Sequence, residues 1–273
     1  MSAIGTLGSS FPYLRFGSGS EPLVVLPGLA FDNDAPTATE ARLYEWSMRR
    51  LAVGRTVTVL RRPRGLASPA AGELSTADIA DRYASVLADE PGPVDVLGLS
   101  TGGLIAQRLA LRHPGLVRRL VLAVSGARIA EAGREMCETW LDQVEQRDWR
   151  GVRGGLVASA VDGPTIQRLA RLLGGSGRRP DPLDVVDFEA TVRADLQHDT
   201  SADLPELTVP TLVLGGRDDP FFPASVLRAT AAAIPGGRVE VHAGGHGVPK
   251  HHSRWLQDQV SAFLLSPAHP MRS

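Results

Sequence analysis

The segment spanning residues 95–114, DVLGLSTGGLIAQRLALRHP, constrains this chain more than any other. Val94, Val96, Leu97 and Leu99 form a short apolar run behind the breaker Pro91-Gly92-Pro93. Leu104, Ile105, Leu109 and Ala110 then recur at helical spacing until His113-Pro114. A buried strand therefore turns abruptly into a helix. The turn, Gly98-Leu99-Ser100-Thr101-Gly102, reads G-x-S-x-G, and its glycines permit a corner too tight for side chains at those positions. Such a corner holds the Ser100 hydroxyl above the end of a sheet, with the first N–H groups of the helix aimed at whatever the serine attacks. Glycine, serine and threonine are common in turns, so the strand before and the helix after are what mark Ser100 as a candidate nucleophile. A nucleophilic serine also needs a base, an orienting acid and an oxyanion hole.

The same alternation runs through the 273 residues. Apolar or β-branched runs at 11–16, 23–26, 56–60, 117–124, 211–214 and 238–242 read as strands. Helical patterns occupy 42–51, the stretch after Ser75 with Ile79, Tyr83, Val86 and Leu87 on one face, and 255–265. This rhythm predicts an α/β fold, a mostly parallel central sheet flanked by helices. Between residues 126 and 207 the rhythm changes. Helix-like segments at 135–147, 149–160, 165–173 and 185–196 follow one another without a strand, broken by Gly174-Gly175-Ser176-Gly177 and Arg178-Arg179-Pro180. We read 126–207 as a helical cap inserted into a core built from 1–125 and 208–273, with a frayed tail from Ser266.

A formal net charge of −1 gives no reason to expect nucleic acid or an anionic membrane surface as a partner. Cys137 is the one cysteine, which leaves no internal disulfide and no cysteine-rich metal site; it reads as a small buried hydrophobe. The opening MSAIGTLG lacks the basic and apolar stretches of a secretory signal, and no run reaches transmembrane length, so a cytoplasmic location is expected.

Among the seven histidines, His246 stands apart because Ala243-Gly244-Gly245-His246-Gly247 is a glycine-rich loop directly after an apolar strand, where a side chain is presented at the sheet's end. His198 is the second candidate for the base. For the acid, the strand Leu212-Val213-Leu214 runs through Gly215-Gly216 into Arg217-Asp218-Asp219-Pro220, a loop at the same end of the sheet. An aspartate pair beside an arginine is ordinary turn chemistry. The chain order serine, aspartate, histidine, each just past an apolar strand, is nevertheless the order expected of one fold.

On these motifs the chain resembles the α/β-hydrolase fold family, as a serine hydrolase of esterase or lactonase type with a helical cap. The resemblance covers nearly the full length. It rests on the Ser100 elbow and on Gly216-Arg217-Asp218-Asp219-Pro220-Phe221-Phe222-Pro223, which matches the family's G-x-x-D-x-x-x-P acid loop with Asp219 at the acid position. It rests also on Gly245-His246-Gly247, and on Pro27-Gly28-Leu29 in the place of the family's His-Gly-x oxyanion turn. The resemblance implies a triad of Ser100, His246 and Asp219, with the backbone N–H groups of Leu29 and Thr101 as oxyanion hole. It implies no metal or organic cofactor.

Two departures stand out. Pro27 replaces the usual histidine, and the family's D-x-x-G-x-G-x-S gives way to Arg61-Arg62-Pro63-Arg64-Gly65-Leu66-Ala67-Ser68, which has lost its acid. Arg61, Arg62 and Arg64 are expected to form a solvated or ion-paired loop, with a remote anion site as the lesser alternative. Serine at the elbow argues against the aspartate-dependent dehalogenases and epoxide hydrolases of this resemblance and points to a small-molecule acyl substrate. Carboxylic esters and lactones come first. The alternatives are a thioesterase, a cofactor-free perhydrolase or haloperoxidase, or a small-molecule receptor with a slow triad. Trp140, Trp149 and Phe188 in the insertion are candidate substrate-pocket walls.

Overall fold

A computed structural model describes residues 2–8, 10–66, 73–174 and 179–266. The breaker at 175–178, Ser68 and the tail beyond Ser266 lie outside the described residues. Eight strands form one sheet: β1 (Ala3–Leu7), β2 (Phe11–Gly17), β3 (Glu21–Leu26), β4 (Arg55–Leu60), β5 (Val94–Leu99), β6 (Val117–Ala123), β7 (Thr211–Gly216) and β8 (Arg238–His242). Their order across the sheet is β1-β2-β4-β3-β5-β6-β7-β8. The pairs β1/β2 and β2/β4 are antiparallel, and the remaining pairs are parallel. A parallel sheet must be covered on both faces, so its strands read as unbroken apolar runs.

Leu23, Val25, Leu97, Val121, Ala123, Leu212 and Leu214 belong to one buried cluster, completed by Ala41 of helix α1 (Ala38–Ser47) and by Leu256, Val260 and Phe263 of a helix near the C-terminus. Val24, Leu26, Val96, Leu120, Leu122 and Val213 point the other way. Helices α2 (Thr76–Leu87) and α3 (Thr101–Arg112) cover this second face. Capping boxes start α1 at Thr37 with Glu40, and α2 at Ser75 with Asp78. The α1 pattern expected at 42–51 begins four residues earlier because that cap sets its start.

Four helices separate β6 from β7: α4 (Glu131–Glu145), α5 (Trp149–Ser159), α6 (Pro164–Gly174) and α7 (Pro182–Gln197). Among the described residues no strand lies between them, apart from a single bridge joining Arg128 and Asp199. Cys137, Trp140, Val144, Val152, Phe188 and Val192 from this excursion join the same apolar cluster as Leu104 and Leu122, so these helices rest directly on the second face. Burial pushes the Cys137 thiol up to about 12 and leaves it inert. The last elements are α8 (Ala224–Ala233), the short α9 (Val248–His251) and α10 (Ser253–Leu265), the helix that covers the first face. No described helix is long and apolar enough to cross a membrane.

Candidate active site

The residues that matter lie just past the C-terminal ends of β3, β5, β7 and β8, where parallel α/β sheets collect their chemistry. Ser100 joins β5 to α3 with φ 53° and ψ −121°, a left-handed conformation that a serine holds only when its surroundings impose it. The surroundings are close indeed. A Cβ on Gly98 would collide with Gly102 and Gly103, and one on Gly102 would collide with the carbonyl of Leu26. The glycines of the motif are thus required by the approach of the elbow to its own helix and to the end of β3. Gly28 packs at ordinary contact distance, a Cβ there falling 3.4 Å from the Leu99 oxygen and the Ser100 Cβ. This sets the Pro27-Gly28-Leu29 turn against the serine.

His246 arrives on the loop between β8 and α9. Its Nε2 lies 3.0 Å from Ser100 Oγ, and its Nδ1 lies 2.7 Å from Asp219 Oδ2. The second carboxylate oxygen of Asp219 accepts the Phe221 and Phe222 N–H groups at 2.8 and 3.1 Å. Asp219 is 1% exposed, and the two phenylalanine rings flank the imidazole at 4.7 and 6.2 Å. With Nδ1–H given to Asp219, Nε2 is left as an acceptor for the serine hydroxyl. Asp218 turns outward, exposed and 3.5 Å from Arg217. The acid and histidine loops are pinned together by the Asp218 N–H on the Gly244 oxygen, 2.9 Å, and the histidine loop is tied to the segment after α5 by Asp162, which accepts the Gly245 N–H at 3.0 Å.

His198, the second candidate base, takes no part. It is buried at the end of α7 with Nδ1 2.8 Å from Thr76 Oγ1, and burial drops its pKa to about 3, so it stays neutral; the hydrogen bonds of Ser100 Oγ and Asp219 Oδ2 go to His246 instead. Thr101, the residue after the serine, sends its hydroxyl to Asp195 of α7 at 2.6 Å. Burial pushes the Asp195 carboxyl up to about 7, although the Thr101 bond and the Arg62 charge pull the other way. Among the described residues, the backbone N–H groups of Leu29 and Thr101 have no hydrogen-bond acceptor.

The arginine loop corrects the sequence reading. Arg64 is ion-paired, with Asp34 at 3.0 Å and Asp184 at 3.1 Å, and Arg61 binds the Asp34 carbonyl at 2.7 Å. Arg62 is neither solvated nor ion-paired. Its side chain is 1% exposed, and its Nη1 donates to the carbonyls of Gly28 at 3.0 Å and Pro27 at 3.4 Å. The parallel strands β4 and β3 lie side by side, so their ends emerge together and the Arg62 guanidinium reaches the β3 turn.

Trp140 is buried and stacked on Phe221 at 5.8 Å, behind the residue that flanks His246. Phe188 stacks on Phe31 at 4.9 Å, and Trp149 meets the same ring edge-on at 6.1 Å. Phe31, two residues past the Leu29 turn, escaped the sequence reading because it stands alone among loop residues. A cleft of about 470 Å³ opens beside His246, lined by Met136, Ala158, Asp162, Gln167 and Asp218 among others. Trp140, Trp149 and Phe188 do not line it.

The chain belongs to the alpha/beta hydrolase family, whose model matches residues 23–259. It is 34% identical over 184 residues to polyketide synthase ThaQ of Burkholderia thailandensis, a match covering 63% of this chain and 8% of that protein. It is 28% identical over 167 residues to a poly(3-hydroxyalkanoate) depolymerase of Ectopseudomonas oleovorans, covering 57% of this chain and 55% of that one. The chain thus spans about half of one of these relatives and under a tenth of the other. The enol-lactonase of Burkholderia xenovorans LB400 superposes with a TM-score of 0.73 at 20% identity, over 97% of this chain and the whole of that one, and so shares the fold.

Proposed function

We propose that this protein is a serine hydrolase that cleaves a carboxylic ester or lactone of a small molecule through an acyl-enzyme on Ser100. One observation carries the reading: an unbroken hydrogen-bonded chain from Ser100 Oγ through His246 to Asp219, starting at a strained elbow on the sheet's end. His246 Nε2 takes the hydroxyl proton as Oγ attacks the acyl carbon. The carbonyl oxygen becomes an oxyanion held by the Leu29 and Thr101 N–H groups. Collapse breaks the bond to the leaving oxygen, which receives the proton from His246. Water, deprotonated by the same imidazole, then releases the acid and regenerates Ser100. Asp219 holds the tautomer and balances the imidazolium charge, and its bonds to Phe221 and Phe222 fix it for that role.

In this reading helices α4–α7 form a cap over the site, and Trp149, edge-on to Phe31, is a wall for the acyl group, with the buried Phe188 backing the Phe31 ring. The depolymerase relative and the lactonase neighbour act, by their names, on a poly(3-hydroxyalkanoate) and on an enol-lactone. Both agree with an oxygen ester as substrate. The test is a panel of p-nitrophenyl esters of graded acyl length, five- and six-membered lactones, and the matching acyl thioesters. Faster turnover of oxygen esters or lactones supports the proposal. Turnover confined to thioesters would move the substrate class, and turnover of none would remove the hydrolase reading.

A further inference from the structure

We propose that Arg62 is a positioning residue for the oxyanion hole, holding and polarising the peptide that presents the Leu29 N–H. The inference rests on the reading of Ser100 as nucleophile. Arg62 is among the largest fully buried side chains of the protein. Burying a guanidinium is costly, and its usual compensation is a carboxylate partner. Among the described residues no carboxylate bonds to it directly, Asp195 and Asp187 acting on it only through space, and its Nε and Nη2 have no hydrogen-bond partner. What it does hold is the oxyanion turn, through Nη1 on the Pro27 and Gly28 carbonyls.

The Gly28 carbonyl and the Leu29 N–H are the two ends of one amide. Resonance couples them, so a cation hydrogen-bonded to the oxygen draws density from the nitrogen and makes its N–H a stronger donor. The same bond fixes the rotation of the peptide plane, and so the direction of the N–H. The two departures from the family's pattern meet here: Pro27 stands in place of a histidine, and Arg62 lies in the segment that lost its acid. They touch in space through the Nη1 bond to the Pro27 oxygen. An arginine beneath the turn supplies support that a proline, with no N–H and no polar side chain, cannot. The second donor has its own tether, since the Thr101 hydroxyl is bonded to Asp195.

The experiment compares the full-length protein with Arg62→Met, Arg62→Gln and Arg62→Lys, with Arg64→Gln as a control on the same loop. Each is checked for folding by circular dichroism and thermal melting, and for a competent serine by fluorophosphonate labelling. Steady-state kinetics on an aryl ester and affinity for a matched trifluoromethyl ketone, which forms an oxyanion on the serine, are then measured. Deleting a whole oxyanion donor costs about a hundred- to a thousandfold, so weakening one is expected to lower kcat by about ten- to a hundredfold in Arg62→Met. KM should stay within about threefold, ketone affinity should fall in parallel with kcat/KM, and Arg62→Lys should recover part of both. Folded Arg62→Met with kcat within about twofold of the parent would overturn the proposal. So would a loss of kcat that leaves ketone affinity unchanged, or the failure of all three variants to fold, which would assign Arg62 to stability alone. A parent that neither labels nor turns over esters would instead remove the hydrolase reading itself.

Discussion

Asp195 gives the fold a pH dependence that one substitution should erase. Its carboxyl is buried beneath the elbow, with Oδ2 accepting the Thr101 hydroxyl at 2.6 Å and Oδ1 without a partner among the described residues. Burial lifts its pKa to about 7 from an ordinary 3.8. Between those values the folded protein keeps a proton that the unfolded chain has lost, so stability contributed at this site falls as pH rises through the window. Just over three units at about 1.4 kcal/mol each amount to roughly 4 kcal/mol in full, of which between about 2 and 3 kcal/mol is lost between about pH 5 and about pH 8.5. Asp195→Asn keeps the shape and the acceptor for Thr101 but cannot ionise. Urea denaturation of both proteins at the two pH values should therefore show the variant gaining about 2 to 3 kcal/mol on the parent at the higher pH. An unchanged difference between the proteins, with both folded, would mean that Asp195 is not the buried carboxylic acid described here.

The adjacent aspartates should separate cleanly: Asp219→Asn is expected to lose at least about a hundredfold in turnover, below the four orders seen when a triad aspartate is replaced in a serine protease, because His246 is then left in the wrong tautomer. Asp218→Asn, with its side chain exposed and paired with Arg217, should stay within about threefold. The reverse ranking in steady-state assays of folded variants would move the acid by one residue. Phe188→Ala removes a buried ring stacked on Phe31 and should destabilise by about 3 to 5 kcal/mol in chemical denaturation. Trp149→Ala, only partly buried, should instead shift the acyl-length preference across the ester panel. If stability alone moves in both variants, these residues are packing and not pocket walls.

Much of this was legible in the sequence because the strands buried on both faces are runs of branched apolar residues, and because the elbow cannot be built without Gly98 and Gly102. The positions of Ser100, Asp219 and His246 followed from where those runs end. Strand β1 escaped because its residues are largely exposed, with Ile4 41% open to solvent, and carry no alternation. Helix α8, ASVLRATAAA, escaped because alanine favours helix without drawing an amphipathic stripe. Arg62 was misread for a physical reason: three arginines in four residues look solvated, and only the tertiary pairing of β4 beside β3 brings the middle one against the β3 turn and buries it. Likewise, nothing local could pair Thr101 with Asp195, which are 94 residues apart.

The central claim, that Ser100 is the nucleophile of a chain running through His246 to Asp219, is tested most directly by intact-mass analysis after fluorophosphonate treatment. The parent should gain one phosphonyl adduct, located on the peptide bearing Ser100, and Ser100→Ala should remain folded, unlabelled and inactive toward aryl esters. Labelling that persists in the folded Ser100→Ala protein, or an adduct on any other serine of the parent, would contradict the account.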